Sequence, residues 1–109
     1  MKSRVGETTD RLGRIVVLTD ESWAHIMAEH RELAGFQQEI RQAIALADEV
    51  RLDTMYRHRD IHYRHTGLGT LRFRVVVHYR PTELWGWTGE VITAFLTRRH
   101  YQSAVLRWP

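Results

Sequence analysis

The sequence lacks cysteine altogether, and it contains a single lysine among its 109 residues. The absence of cysteine excludes disulfide bonds and thiolate zinc sites. No apolar stretch approaches the ~20 residues that a membrane-spanning helix needs. The polar beginning of the chain, MKSRVGETTD, is unlike a signal peptide. We therefore expect a cytoplasmic protein that makes no use of a membrane.

The overall composition is that of a compact globular domain. Hydrophobic residues make up 43% of the chain and charged residues 27%, which is typical of one folded domain. Residues 1–12 mix charged and small side chains without periodicity. We predict a flexible amino-terminal arm over residues 1–12 and a single domain over residues 13–109.

Basic residues are concentrated in the second half of the chain. Residues 1–48 hold six Lys and Arg against eight Asp and Glu, a net charge of −2, whereas residues 49–109 hold ten against five, a net charge of +5. All ten are arginines, whose planar guanidinium groups match phosphate geometry. This half is therefore predicted to offer a surface to a polyanion. The alternative is that the arginines cover the solvent face of a sheet.

Local patterns predict a strand followed by two helices. Residues 13–18 are rich in β-branched side chains, as in a strand, and Thr19 and Asp20 offer helix-capping oxygens. Two apolar stripes at helical spacing follow, and Gly35 between them is expected to end the first helix. The stripes consist of Trp23, Ile26, Met27, His30 and Leu33, and then of Phe36, Ile40, Ala43, Ile44 and Ala47.

From Val50 onward the periodicity changes to two, which predicts strands. One set of alternating positions is apolar and the other is rich in arginine and histidine, most clearly over residues 61–65 and 71–79. The order of elements predicts an α+β fold. In it, two amino-terminal helices pack on one face of a mostly antiparallel sheet of about four to five strands.

The first helix carries two histidines, His25 and His30. They are five residues apart, which at about 100° per residue turns them roughly 140° from each other. A metal bound by both is therefore not expected, and we predict neither a metal site nor a cofactor. His30 falls on the apolar stripe with Leu33, whereas His25 lies four residues from both Glu21 and Glu29. If only one histidine serves catalysis, we expect it to be His30.

A dense run of arginine, histidine and tyrosine spans residues 56–65. Metal-free cleavage of RNA needs a base for the 2′-hydroxyl proton, an acid for the leaving oxygen and cations for the developing charge. Side chains of this run can fill all three roles. The alternative is a polar edge strand whose charges prevent aggregation.

Two further motifs offer groups suited to RNA. The hydroxyls of Thr93 and Thr97 alternate along a predicted strand and could hold a phosphate, although threonine is also simply a good strand residue. Trp85 and Trp87 lie in a predicted loop, where they could stack on bases or anchor the loop by packing.

The motif W-x-H-I-x-x-x-H-x-E-L over residues 23–33 and the terminal V-I-T-A-F-L-T over residues 91–97 together resemble one family pattern. The chain is similar, over about residues 13 to 100, to the phage-associated nuclease-like domains of the Barnase-EndoU-Colicin-RelE (BECR) superfamily. The resemblance implies helices packed on an antiparallel sheet, a BECR-like fold. It also implies a metal-independent ribonuclease that uses the 2′-oxygen of RNA as nucleophile, and an antitoxin or immunity protein as partner of a toxin-like or mobile-element protein.

Applied to this sequence, the resemblance and the residue patterns give two sets of site residues. The predicted catalytic set is His30, His25, Arg57, Arg59, Tyr63, Thr93 and Thr97. The predicted nucleic-acid-binding set is Arg64, Arg72, Arg74, Arg98, Arg99, Trp85 and Trp87. The competing hypothesis is a non-catalytic module of the same fold that binds nucleic acid or an acidic protein.

Overall fold

A computed structural model describes residues 2–82, 86–99 and 105–109. Strands β1 and β2 come first, then the helices α1 and α2, and then the strands β3 to β7. The bounds are β1 Arg4–Thr9, β2 Ile15–Thr19, α1 Asp20–Glu29, a 3-10 turn Arg31–Leu33, α2 Gln37–Ala45, β3 Glu49–Leu52, β4 Arg59–His65, β5 Arg72–Thr82, β6 Gly86–Thr97 and β7 Val105–Trp108. These strands form one sheet in the order β1-β2-β6-β5-β4-β3-β7.

The molecule is an α+β domain, but the predicted BECR-like architecture, two amino-terminal helices on a mostly antiparallel sheet of about four to five strands, is wrong. The sheet has seven strands and is mixed, because β2 pairs with β6 in parallel. Two strands precede the helices, and β1 occupies residues 4–9, where the sequence predicted a flexible arm. Strand β1 lies at the sheet edge and is mostly exposed. An edge strand buries little apolar surface, so its composition resembles that of a loop.

The first helix begins as the sequence predicted and ends earlier. Thr19 is the N-cap, and its hydroxyl accepts a 3.1 Å hydrogen bond from the amide of Ser22. Helix α1 ends at Glu29, and the chain then runs through a 3-10 turn before Gly35 turns it with a φ of 82°. His30 therefore lies at the C-cap of α1 and not within the helix. No helix among the described residues is long and apolar enough to cross a membrane.

The two faces of the sheet differ in what covers them. On the first face, which we call the helix face, Ile40 and Ile44 of α2 pack with Val75 and Val77 of β5 and with Leu18 of β2. These five side chains are at most 2% exposed and belong to the main hydrophobic core. Burial of a side chain of this size contributes about 1.5–3 kcal/mol. The helix face therefore supplies most of the stability of the fold.

The second face, which we call the arginine face, carries the other set of alternating residues. Residues that pair directly in an antiparallel sheet share a face. Three rows across β4, β5 and β6 follow from the register: His65, Arg72 and Thr97; Tyr63, Arg74 and Phe95; Ile61, Val76 and Thr93. A small second apolar cluster underlies these rows, made of Ile61, Tyr63, Val76 and Ile92, and neither helix contributes a buried residue to it.

Candidate functional site

A cluster of aromatic and cationic side chains forms the middle of the arginine face. The ring of His30 stacks on Phe95 with 5.2 Å between centroids and an interplanar angle of 28°. The guanidinium carbon of Arg74 lies 5.1 Å from the centroid of the same Phe95 ring. Arg74 Nε donates a 3.1 Å hydrogen bond to the hydroxyl of Tyr63, and the Arg72 guanidinium carbon lies 5.0 Å over the Tyr63 ring. We call these five residues the arginine-face cluster.

The chain positions this cluster by the way in which α1 follows β2. Strand β2 pairs with β6 only through Thr88, Gly89 and Glu90. The chain leaves β2 at Thr19 to enter α1. Helix α1 therefore accompanies the remaining part of β6, and its C-cap brings His30 against Phe95.

Residues at the end of β6 and just after it hold Arg72 in place. Arg72 is only 8% exposed, and its Nη2 donates a 3.1 Å hydrogen bond to the carbonyl of Arg99. The amide of Arg99 donates in turn to the hydroxyl of Thr97 at 3.0 Å. An arginine that is buried on an aromatic ring and bonded to a carbonyl keeps a fixed orientation.

A second histidine lies near the cluster on its other side. His65 stands opposite Arg72 in the register of β4 and β5. Its backbone amide donates a 2.7 Å hydrogen bond to Asp48, which fixes the end of β4. Strands β4 and β6 are separated by β5, a span of about 10 Å. His30, beside β6, and His65, at the end of β4, therefore flank Arg72 and Arg74.

A separate polar network lies on the helix face and joins the turn between β1 and β2 to strands β4, β5 and β7. Arg14 Nε donates to Asp10 Oδ2 at 2.8 Å, and Arg14 Nη2 donates to Asp60 Oδ2 at 2.7 Å. Arg107 Nε donates to the other oxygen of Asp60 at 2.7 Å. The Tyr79 hydroxyl donates to Asp10 Oδ2, also at 2.7 Å. Because Asp10 and Asp60 are 5% and 1% exposed, these are buried charges that are paired on every side.

His62 completes the network, and its protonation state follows from the hydrogen bonds. Tyr79 has one hydroxyl hydrogen, which goes to Asp10, so the 2.8 Å contact with His62 Nε2 requires that Nε2 carry the proton. His62 Nδ1 is then an unprotonated acceptor, and it has no hydrogen-bond partner among the residues that the structure describes. Burial lowers the pKa of His62 to about 4. Burial and the Asp10 carboxylate raise the pKa of Tyr79.

The network forms the floor of a cavity of about 220 Å³, which we call the Asp60 pocket. It is lined by Arg14, His58, Asp60, Tyr79, Trp87 and Arg107. The rings of His58 and Trp87 form one wall, with 5.4 Å between centroids. The guanidinium carbon of Arg14 lies 3.6 Å over the Tyr79 ring. The pocket therefore combines two oriented arginines with an aromatic pair.

The structure brings part of the predicted catalytic set together. His30 and Tyr63 belong to the arginine-face cluster, and Thr93 and Thr97 lie on the same face in register with β5. Thr93 Oγ1 is buried and has no hydrogen-bond partner among the described residues, whereas Thr97 Oγ1 is occupied by the Arg99 amide. Tyr63 is 0% exposed, so its hydroxyl orients Arg74 and does not itself meet solvent.

The remaining members of the predicted catalytic set lie outside the cluster. His25 is exposed, and its Nε2 lies 3.7 Å from Oε2 of Glu29. Arg57 is exposed and lines a shallow groove of the segment between β3 and β4. Arg59 is on the arginine face by register, but its guanidinium carbon lies 4.3 Å over the ring of Tyr56.

The predicted nucleic-acid-binding set is also divided between the two faces. Arg72 and Arg74 belong to the arginine-face cluster, and the exposed residues Arg98 and Arg99 directly follow β6. Arg64 instead lines a groove on the helix face with Glu39 and Gln42 of α2. Trp87 lines the Asp60 pocket, and Trp85 lies outside the described residues.

Sequence reasoning missed Asp10, Arg14 and Arg107, which build the Asp60 pocket. Asp10 and Arg14 lie in the turn between β1 and β2, where the sequence predicted the end of an arm and the start of a strand. Arg107 lies in strand β7, which was not predicted. One signal was present in the sequence. The alternation of residues 58–65 placed Asp60 on the same side as His62, and both are buried on the helix face.

No protein-family model, curated protein or solved structure matches this chain. Within residues 2–82, 86–99 and 105–109, no group of three or more histidine, aspartate and glutamate side chains is arranged to hold a metal ion. The arginine-face cluster and the Asp60 pocket are therefore the features of the molecule that bear on its function.

Proposed function

We propose that the chain is a metal-independent endoribonuclease whose reaction takes place at the arginine-face cluster. The observation that carries the proposal is the unbroken series of contacts from His30 through Phe95, Arg74 and Tyr63 to Arg72. It places a histidine beside two oriented guanidinium groups. The similarity of the residue 23–33 and 91–97 motifs to phage-associated nuclease-like domains supports the same reaction.

The residues suggest a division of roles in cleavage. His30 accepts the proton of a 2′-hydroxyl, and the 2′-oxygen attacks the adjacent phosphorus. Arg72 and Arg74 neutralise the charge that develops on the phosphoryl oxygens, which is the largest contribution in reactions of this kind. His65, in its protonated form, donates a proton to the leaving 5′-oxygen. The products are a 2′,3′-cyclic phosphate and a 5′-hydroxyl, and no step of this scheme requires a metal ion.

The positions of the histidines fit this division. An in-line displacement needs its base and its acid on opposite sides of the phosphorus, and His30 and His65 flank the arginines from opposite sides. Stacking on Phe95 restrains the ring of His30, whose side chain remains 28% exposed. A restrained but accessible ring suits a general base, because the reacting geometry is set before the substrate binds.

A non-catalytic RNA-binding module is the second candidate, and one observation favours it. Arg72 is 8% exposed and Tyr63 is 0% exposed, so both act at the surface mainly by orienting other groups. Such a face would bind the phosphates of RNA without cleaving the RNA. If the enzyme is toxin-like, the partner that we propose for it is an acidic protein that covers the arginine face in the cytoplasm.

The deciding experiment is cleavage of a mixed-sequence RNA oligonucleotide by purified protein in the presence of EDTA. We expect fragments that end in 2′,3′-cyclic phosphate, detected by mass spectrometry, and no cleavage of the matching DNA. His30→Ala should abolish cleavage, whereas His25→Ala, which removes an exposed histidine from α1, should leave it intact. Circular dichroism establishes that both variants are folded.

Two results would contradict the proposal. Salt-dependent RNA binding with no fragments at any enzyme concentration would identify the binding module instead. Equal cleavage by wild type and by folded His30→Ala would exclude the arginine-face cluster as the site.

A further inference from the structure

We propose that the Asp60 pocket is a second ligand site, which binds a nucleobase carrying a phosphate monoester. The pocket lies on the helix face, because Asp60 pairs with Val77, a residue of the main core. It is therefore on the opposite side of the sheet from the arginine-face cluster, and this inference stands or falls independently of the proposed ribonuclease.

The two arginines retain N–H donors beyond those that pair with Asp10 and Asp60. Arg14 and Arg107 bind different oxygens of the Asp60 carboxylate, so one buried acid fixes both guanidinium groups. A guanidinium carries five N–H donors. Arg14 uses Nε and one Nη2 donor, and Arg107 uses Nε, for the bonds found among the described residues. The remaining donors on both arginines suit a phosphate, which guanidinium binds in a two-pronged manner.

Charge pairing in the pocket disfavours a cation as the ligand. The buried carboxylates of Asp60 and Asp10 balance the charges of Arg14 and Arg107. Both Asp60 oxygens are occupied by the arginines, so the carboxylate offers little to a cation. A phosphate monoester would instead be recognised through the guanidinium N–H donors that the two carboxylates do not use.

The aromatic wall of the pocket offers a surface on which the nucleobase can stack. Trp87 is 41% exposed, although it already contacts the ring of His58. His58 has a φ of 63°, the one left-handed residue other than glycine in the described chain. Its carbonyl accepts a 2.7 Å hydrogen bond from the amide of Tyr79, which holds this conformation. Strained backbone held beside an exposed tryptophan is consistent with a stacking platform.

The size of the pocket restricts the ligand to a small group. A cavity of about 220 Å³ is smaller than the ~300 Å³ at which pockets for drug-sized ligands begin. It admits the phosphate, while the base stacks on the exposed ring of Trp87 and any further part of the ligand extends into solvent. Two sources share this chemistry: a free nucleoside monophosphate and the phosphorylated 5′ end of an RNA strand.

The test is isothermal titration of the full chain, carrying His30→Ala so that RNA is not cleaved, with two matched pairs of probes. The first pair is adenosine monophosphate against adenosine, and the second is a short RNA with a 5′-phosphate against the same RNA with a 5′-hydroxyl. We expect the phosphate to strengthen binding at least tenfold in one pair. The first pair identifies a free nucleotide as the ligand, and the second identifies an RNA end.

Two pocket variants and one control locate the binding. Arg107→Gln and Trp87→Leu change side chains that are partly exposed, and each should weaken binding of the favoured probe about tenfold or more. The control is Arg80→Gln, which also removes one positive charge. Arg80 is next to Tyr79 in the sequence and pairs with Thr88, but it does not line the pocket. This variant should bind as wild type does. If Arg107→Gln melts at a much lower temperature than wild type, the binding of Trp87→Leu alone tests the inference.

Two outcomes would overturn the inference. In one, the phosphate strengthens binding in neither pair of probes. In the other, folded Trp87→Leu and Arg80→Gln bind the favoured probe equally well.

Discussion

The hydroxyl of Tyr79 donates a 2.7 Å hydrogen bond to Asp10, a residue 69 positions away in the sequence. The same carboxylate accepts hydrogen bonds from the backbone amides of Leu12 and Arg14, both at 2.9 Å. These bonds close the turn between β1 and β2. Tyr79 thus joins that turn to β5 and, through Arg14, positions one wall of the Asp60 pocket. The turn and the pocket are one structural unit.

Tyr79→Phe should destabilise the protein by about 1–3 kcal/mol, the usual cost of leaving buried polar groups without a partner. The change removes the donor to Asp10 and the acceptor for His62, while the ring that packs in the core remains. Urea denaturation followed by circular dichroism measures the loss. His25→Ala, at an exposed position, should differ little from wild type. A Tyr79→Phe variant as stable as wild type would mean that the hydrogen bonds contribute nothing.

Stability should fall as the pH falls from about 6.5 to about 4. His62 has a pKa lowered to about 4 in the folded chain, against an ordinary value of 6.5. Between these values the unfolded chain takes up a proton that the folded chain does not, so acid favours unfolding. The full loss for this residue is about 3 kcal/mol. Urea midpoints measured at half-unit intervals of pH give the slope.

The matched variants for this pH dependence are His62→Gln and His25→Gln. Glutamine at position 62 keeps an N–H near Tyr79 but cannot take up a proton, so the slope between pH 6.5 and pH 4 should flatten. Glutamine at position 25 replaces an exposed histidine and should leave the slope as it is. The assignment to His62 is wrong if the two variants show equal slopes.

Gly89→Ala should destabilise the protein by about 1–3 kcal/mol through overpacking. Gly89 stands opposite Tyr79 in the register of β5 and β6. A Cβ there would lie 2.6 Å from Cγ1 of Val77 and 2.8 Å from Cε1 of Tyr79. Both neighbours are buried and cannot move freely. Thermal melting compares this variant with Thr88→Ala, an adjacent change that removes volume, and a Gly89→Ala melting point at or above the wild-type value would contradict the prediction.

The sequence predicted well those features that depend on neighbours in the chain. The alternation of residues 71–79 correctly separated the core-facing side of β5 from its arginine-bearing side, and Thr19 was correctly identified as a helix cap. In β4 the predicted sides were reversed, because His62 pairs with Val75 of the main core while Ile61 and Tyr63 lie on the arginine face. Such patterns are local, because a strand repeats every two residues and a cap acts within one helical turn.

The missed features depend on contacts between distant segments. Strands β1 and β7 occupy the two edges of the sheet, where little burial is needed and no apolar alternation arises. The hydrogen bond from Arg14 to Asp60 joins residues 46 positions apart, and that from Arg107 to Asp60 joins residues 47 apart. Neither pairing has a local signature. The Asp60 pocket could therefore be recognised only in three dimensions.

Tyr63→Phe should lower the rate of RNA cleavage about tenfold while leaving the fold intact, if the arginine-face cluster is the catalytic site. The phenol hydroxyl accepts the 3.1 Å hydrogen bond from Arg74 Nε, and its loss removes one of the contacts that hold the guanidinium in the position in which it meets the phosphate. Misplacement of such a group acts on the transition state more than on substrate binding, so kcat should fall while KM changes less. Single-turnover cleavage of labelled RNA separates the two effects.

The control for Tyr63→Phe is Tyr56→Phe, which removes a hydroxyl from an exposed tyrosine that stacks with Arg59 outside the cluster. It should cleave RNA at the wild-type rate. Because the Tyr63 ring is retained, the Arg72 contact over that ring persists in the variant, and the change removes only the hydrogen bond between the Tyr63 hydroxyl and Arg74. A fall in cleavage of equal size in both variants would mean that tyrosine hydroxyls affect the protein generally, and that Tyr63 does not position Arg74 for catalysis.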